Sequence, residues 1–147
     1  MRLKLLVLLI VSLLLPSMLL AEILTVSFSG TELRSAPNAM ASKVITKITR
    51  YSPLSVIEKG PEYYKVKDFR GRSGWVHRSL LSNNVQGVVI TGDRANVRQG
   101  PGTNHSVSFQ LAKGMTAKLL EKQDKWIRVQ TADGKNGWVA EFLVWGD

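Results

Sequence analysis

The chain contains no cysteine. That excludes disulfide staples and thiol chemistry, even in an oxidising compartment, and it excludes a lipid-modified cysteine anchor. Histidine is nearly as scarce: His77 and His105 are the only two. Neither has a histidine or carboxylate nearby at metal-ligand spacing, so no metal and no cofactor are expected. The serines are plentiful, but none sits in a nucleophile-elbow sequence. Acidic residues are outnumbered, 11 against 20 Lys and Arg. After residue 21 no stretch holds a helical period. A long apolar run occurs once, from Leu5 to Leu15 with Ser12 the sole interruption.

That run follows Met1-Arg2-Leu3-Lys4 and is broken by Pro16, with the small Ala21 at a plausible cleavage point. This is the layout of a secretory signal peptide over residues 1–21. The apolar stretch is shorter than the roughly 20 residues that a spanning helix needs. Export to the periplasm or the cell exterior is therefore expected, with an uncleaved anchor as the alternative. Without the two basic residues of the leader the charge is +7, from 18 basic against 11 acidic residues. Residues 22–84 carry ten basic and five acidic residues, and residues 85–147 carry eight and six. An exported basic protein suits an anionic partner, such as a cell-wall polymer or the headgroups of a membrane surface, unless the charge serves only solubility. Nucleic acid, the default partner of a basic cytosolic chain, is not expected here.

What is present in abundance is repetition. Ser73-Gly74-Trp75-Val76 returns 63 residues later as Asn136-Gly137-Trp138-Val139. Tyr63-Tyr64-Lys65-Val66 matches Trp126-Ile127-Arg128-Val129 at the same offset, and Leu33-Arg34 matches Val97-Arg98 at 64. A period this long, present twice, describes two tandem domains rather than a solenoid. Each repeat reads as short strands between turn residues, among them Val44–Ile48, Tyr64–Lys67 and Gly74–His77 in the first, and Val107–Leu111, Ile127–Gln130 and Gly137–Val139 in the second. Ala132-Asp133-Gly134-Lys135 is a hairpin turn signal. Five short strands in about 60 residues predict a small, partly open barrel. A repeat of that size is near the lower limit for folding on an apolar core alone, so the two are expected to lean on one another. The expected organisation is a first domain over residues 22–82, a linker at 83–86 and a second domain over 87–147.

The second repeat joins Asn96-Val97-Arg98-Gln99-Gly100-Pro101 to Lys113-Gly114, Trp126-Ile127-Arg128-Val129 and Gly137-Trp138-Val139. In that order these motifs closely resemble the bacterial SH3-like (SH3b) family, over about residues 87–145. The first repeat, about 23–82, is a looser match that keeps Leu33-Arg34, Pro37 and Gly74-Trp75-Val76-His77 but lacks the Lys-Gly turn. The fold class implied is all-β, two SH3-like barrels in tandem. Gly100-Pro101-Gly102 is expected to reverse the chain through glycine's tolerance of positive φ. Gly74 and Gly137 are expected to mark a bulge or a close backbone approach.

The alternation of strands puts Tyr64, Val66, Ile127 and Val129 inward, and Tyr63 and Trp126 on the outer face beside Lys65 and Arg128. Tyr63 and Trp126 are then either recognition anchors, which contribute area at low entropy cost, or lids on their own barrels. Trp75 and Trp138, with Gly74, Val76, Gly137 and Val139, read as structural. The resemblance implies that Arg34 and Arg98 border a groove used for extended peptides. There an arginine either pairs with a carboxylate of a wall stem peptide or braces its loop by bonding backbone carbonyls. Trp145, past the last motif, is left with two readings: packing between the domains or marking a contact surface. The expected function is non-enzymatic: the resemblance makes peptidoglycan, through its peptide portion, the leading ligand. The alternatives are an adaptor for an envelope protein, and a chain in which one repeat merely stabilises the other.

Overall fold

A computed structural model describes residues 20–147. The signal peptide expected over residues 1–21 lies, up to residue 19, outside the described residues. The first repeat supplies β1 (Ile23–Val26), β2 (Thr31–Arg34), β3 (Val44–Ile48), β4 (Pro53–Lys59), β5 (Tyr63–Lys67), β6 (Ser73–His77) and β7 (Leu81–Ser82). The second supplies β8 (Gly87–Ile90), β9 (Arg94–Arg98), β10 (Val107–Ala112), β11 (Thr116–Gln123), β12 (Trp126–Gln130), β13 (Asn136–Ala140) and β14 (Val144–Trp145). All pairings are antiparallel, and the two seven-stranded sheets have one topology: β3-β2-β6-β5-β4-β1-β7 and β10-β9-β13-β12-β11-β8-β14. A 3-10 turn precedes each last strand, Arg78–Leu80 and Glu141–Leu143. The protein is all-β, with two more strands per repeat than the five read from sequence.

Two strands of each sheet carry a register slip. The register slips between Val56 and Glu58 on β4 and between Leu119 and Glu121 on β11, leaving Ile57 and Leu120 unpaired. A second slip passes over Ile45 on β3 and Ser108 on β10. An extra residue sharpens local twist and turns the strand, so β4 reaches β1 with one half and β5 with the other. The four slips fall at equivalent positions in the two repeats.

The period-two pattern then fills the interiors. Val26, Leu33, Ile48, Leu54, Val66 and Val76 form one core, with Tyr64, Leu80 and Leu81 packed against it. Val88, Ile90, Ala95, Val97, Leu111, Ala117, Ile127, Val129 and Val139 form the other. Full burial of one Leu54-sized side chain contributes about 1.5–3 kcal/mol. Among the described residues no buried side-chain polar atom lacks a partner. Buried Asp68, for example, accepts from the backbone N–H groups of Arg70 and Arg72 and from Arg72 Nε at 2.7 Å.

The glycines before the tryptophans are sites of close approach. A Cβ on Gly74 would lie 2.7 Å from the Arg34 carbonyl oxygen, and one on Gly137 would lie 2.7 Å from that of Arg98. Gly100 and Gly102 differ from expectation, because neither has positive φ. Gly100 lies against the His105 ring, which a Cβ would meet at 2.5 Å. Its small size, rather than its torsional freedom, is what this turn uses.

The repeats meet along a packed junction. The Gly87 N–H donates to Thr25 Oγ1 at 2.9 Å, and Thr116 Oγ1 donates to the Arg50 carbonyl at 2.6 Å. Gly87 lies directly on the Tyr51 carbonyl, and Gly146 packs on Pro53. Trp145 borders a crevice shared with Phe69 and Asp68 of the first repeat, which locates that residue at the junction.

Candidate functional site

β2 ends at Arg34 and β6 runs beside it, pairing Arg34 with Trp75. β5 lies on the other side of β6 and sets Tyr63 opposite His77. The loop after β1 returns over the same end of the barrel. Together these elements enclose a groove of about 350 Å3 lined by Phe28, Glu32, Arg34, Tyr63, His77 and Leu80, among others. Two residues singled out from the first repeat's sequence, Arg34 and Tyr63, thus share one groove.

The groove combines apolar and polar surfaces. Tyr63 and His77 meet edge to face, with ring centroids 5.1 Å apart and planes at 84°. His77 Nδ1 lies 2.7 Å from Ser79 Oγ and accepts from the Ser79 N–H at 3.3 Å, which caps the 3-10 turn and holds the imidazole in place. Phe28, 60% exposed, offers an open aromatic face. Tyr63 itself is half-buried, so the outer-face aromatic packs on its own barrel and also presents an edge to the groove.

The arginines brace their loops. Arg34 donates through Nη1 to the Ala39 carbonyl at 3.0 Å and to Ser42 Oγ at 3.1 Å, and pairs through Nη2 with Glu32. Arg98 donates through Nη1 to the carbonyls of Thr103 and His105 at 3.2 and 2.9 Å. Each guanidinium thus holds the loop that follows its strand. Five N–H donors per guanidinium leave further donors beyond these contacts.

In the second repeat, Arg98 pairs with Trp138 and Trp126 with Ala140, the register positions of Arg34–Trp75 and Tyr63–His77. Trp126 is half-buried and Trp138 is buried. Ala140 replaces His77, so the 3-10 turn there has no side-chain cap. Sequence reasoning did not anticipate His77, Phe28 or Glu32 as neighbours of Tyr63 and Arg34. The one available signal was the antiparallel register of two adjacent strands, which places His77 opposite Tyr63.

The electrostatics are those of an exposed surface. The Thr131 hydroxyl donates to the Asp133 carboxylate and holds it below the ordinary carboxylate range, and a hydrogen bond with Glu22 raises the Lys59 ammonium. Among the described residues no three His, Cys, Asp or Glu side chains converge as a metal site would require. Nor is any helix there long and apolar enough to cross a membrane.

Comparison with known proteins follows the division into repeats. A family model described as "Bacterial SH3 domain" matches residues 29–82, and a second of the same description matches residues 91–146. The chain is 34% identical over 57 residues to YrvJ of Bacillus subtilis (strain 168), named as a proposed N-acetylmuramoyl-L-alanine amidase. That match covers 39% of this chain and 11% of YrvJ. It is also 34% identical over 61 residues to LytH of Staphylococcus epidermidis, named as a proposed cell wall amidase, covering 41% of this chain and 21% of LytH. The chain therefore spans about a tenth to a fifth of the length of these relatives. Among solved structures, an NlpC/P60 family protein from Bacillus cereus is similar over 84% of this chain and 55% of its own, at 15% identity and a TM-score of 0.41.

Proposed function

Since the chain is a pair of bacterial SH3 domains in tandem, we propose that it is an exported, non-catalytic protein that binds peptidoglycan through the peptide portion of the polymer. The observation that carries this reading is the groove in which Arg34, Tyr63 and His77 meet, with Arg98 and Trp126 at the matching register positions of the second repeat. A half-buried aromatic on a rigid strand gives an extended peptide a flat apolar contact, and the free guanidinium donors beside it suit a carboxylate. Two weak sites held at fixed spacing on a repetitive polymer would multiply affinity through effective concentration. The names of the relatives support the wall as the setting, because both refer to amidases and both matches have the length of one SH3 domain. Catalysis is assigned outside this chain: its two histidines lie in different repeats, His77 engaged with Ser79 and His105 packed on Gly100.

Sedimentation of the chain with purified peptidoglycan sacculi, at low and physiological salt, tests this. Co-sedimentation that survives physiological salt is the expected result. Binding that disappears with salt would reduce the interaction to net charge. Co-purification of one defined envelope protein without sacculus binding would replace this reading with that of an adaptor.

A further inference from the structure

The junction between the repeats forms a second concavity, separate from the groove of Arg34 and Tyr63. Its volume is about 690 Å3, within the range of about 300–1,000 Å3 usual for ligand sites. The first repeat contributes Arg50 and Arg70, and the second contributes Lys113 and Lys135, with Phe109 and Met115 between them. Asp133 is the one carboxylate on its lining. It pairs with Lys135 at 3.8 Å, with both side chains about two-thirds exposed.

Three observations point to a ligand. First, Arg50, Arg70 and Lys113 belong to no ion pair among the described residues, whereas seven of the eleven carboxylates do, with other cations as their partners. Second, both guanidiniums are oriented by aromatic rings: Arg50 lies 4.7 Å from the Tyr51 centroid and Arg70 lies 4.8 Å from that of Phe69. Stacking restrains the planar group and leaves its edge donors available. Third, the fold itself imposes this gathering of like charge. The Thr116 hydroxyl fastens the second repeat to the Arg50 carbonyl, and the Arg70 guanidinium lies against Gly114. Cations collected on both walls of a gap repel one another, and a ligand with several negative groups relieves that repulsion.

We propose that this cleft binds an oligoanionic chain, with carboxylates or phosphates spaced along it, in an extended form that crosses from one repeat to the other. The two arginines and two lysines take the negative groups, and Phe109 and Met115 contact the linking atoms. The assignment stands independently of the groove reading, because the cleft cations and the groove residues are different.

The test is an amide-resolved NMR titration of the full chain at physiological salt with two probes, tripolyphosphate and pentaglutamate. The expected result is shifts at Gly114, Thr116 and Lys135 with at least one probe, and the tighter probe identifies phosphate or carboxylate as the natural group. The double variant Arg50→Gln/Arg70→Gln should weaken binding about tenfold. The variant Lys43→Gln/Lys125→Gln removes the same charge from exposed sites elsewhere and should stay within about twofold. Absence of shifts with either probe overturns the proposal. So do shifts scattered over the basic surface, with equal loss in both double variants.

Discussion

The two repeats share a backbone and differ in how they fill it. Where the second holds Ala95, Ala117 and Ile127, the first holds Thr31, Leu54 and Tyr64 at the equivalent positions. Thr31 is buried and satisfies its hydroxyl by donating to the Phe28 carbonyl at 2.7 Å. Tyr64 is half-buried where Ile127 is fully enclosed. The Val66–Val129 and Val76–Val139 pairs are unchanged, as are Gly74 and Gly137. The difference separates two kinds of constraint. Side-chain volume can be redistributed across facing positions as long as the total fits. The close approaches at Gly74 and Gly137 involve backbone atoms, which cannot move aside, and there both repeats keep glycine.

This comparison can be broken most sharply in the cores. Ile127→Ala empties a fully enclosed site and should cost about 2–5 kcal/mol. Tyr64→Ala, at the matching half-buried position, should cost clearly less. Urea unfolding of each variant measures both, and equal losses would mean that the two cores are not differently filled.

Next in size is the junction. A Cβ on Gly87 would fall on the Tyr51 carbonyl, so Gly87→Ala should force the repeats apart at a cost of about 1–3 kcal/mol. The expected signature is a single unfolding transition in the parent chain and two in the variant. If the repeats were only tethered, the substitution would leave the transition unaltered.

The smallest expected effect lies in a turn. Gly114 has φ +86, and its counterpart in the first repeat is Tyr51, at φ 68. A side chain in the left-handed region costs roughly 1–2 kcal/mol. Gly114→Tyr should therefore lower stability by about that amount, and Tyr51→Gly should change it less, because released strain offsets the lost ring contacts. Thermal unfolding of the pair gives the comparison directly.

Most of the architecture was legible because it was written twice. The repeated Gly-Trp-Val phrase, the alternation through Tyr64–Val66 and Ile127–Val129, and the Asp133-Gly134 turn each state a local preference that the fold respects. β2 and β9 were not read as strands, because Thr31-Glu32-Leu33-Arg34 and Arg94–Arg98 are short and interrupted by Glu32, Ala95 and Asn96, residues of low strand propensity. Two-residue strands such as β7 and β14 exist only through their pairing with β1 and β8. In the groove, Arg34 and Tyr63 could be named from their motifs, whereas His77 and Phe28 arrive by register and loop closure. The cleft between the repeats was invisible for a stronger reason. Arg50, Arg70, Lys113 and Lys135 sit in four separate turns, and only the docking of one repeat on the other collects them.

The measurement that bears most directly on the proposed function is an NMR titration of the chain with soluble peptidoglycan stem peptides, with the backbone amides and the Trp126 indole resolved. The account predicts saturable shifts at Tyr63 and His77 in the first repeat and at Arg98 and Trp126 in the second, lost repeat by repeat in Tyr63→Ala and Trp126→Ala. Shifts confined to other surfaces, or unaffected by both substitutions, would contradict it.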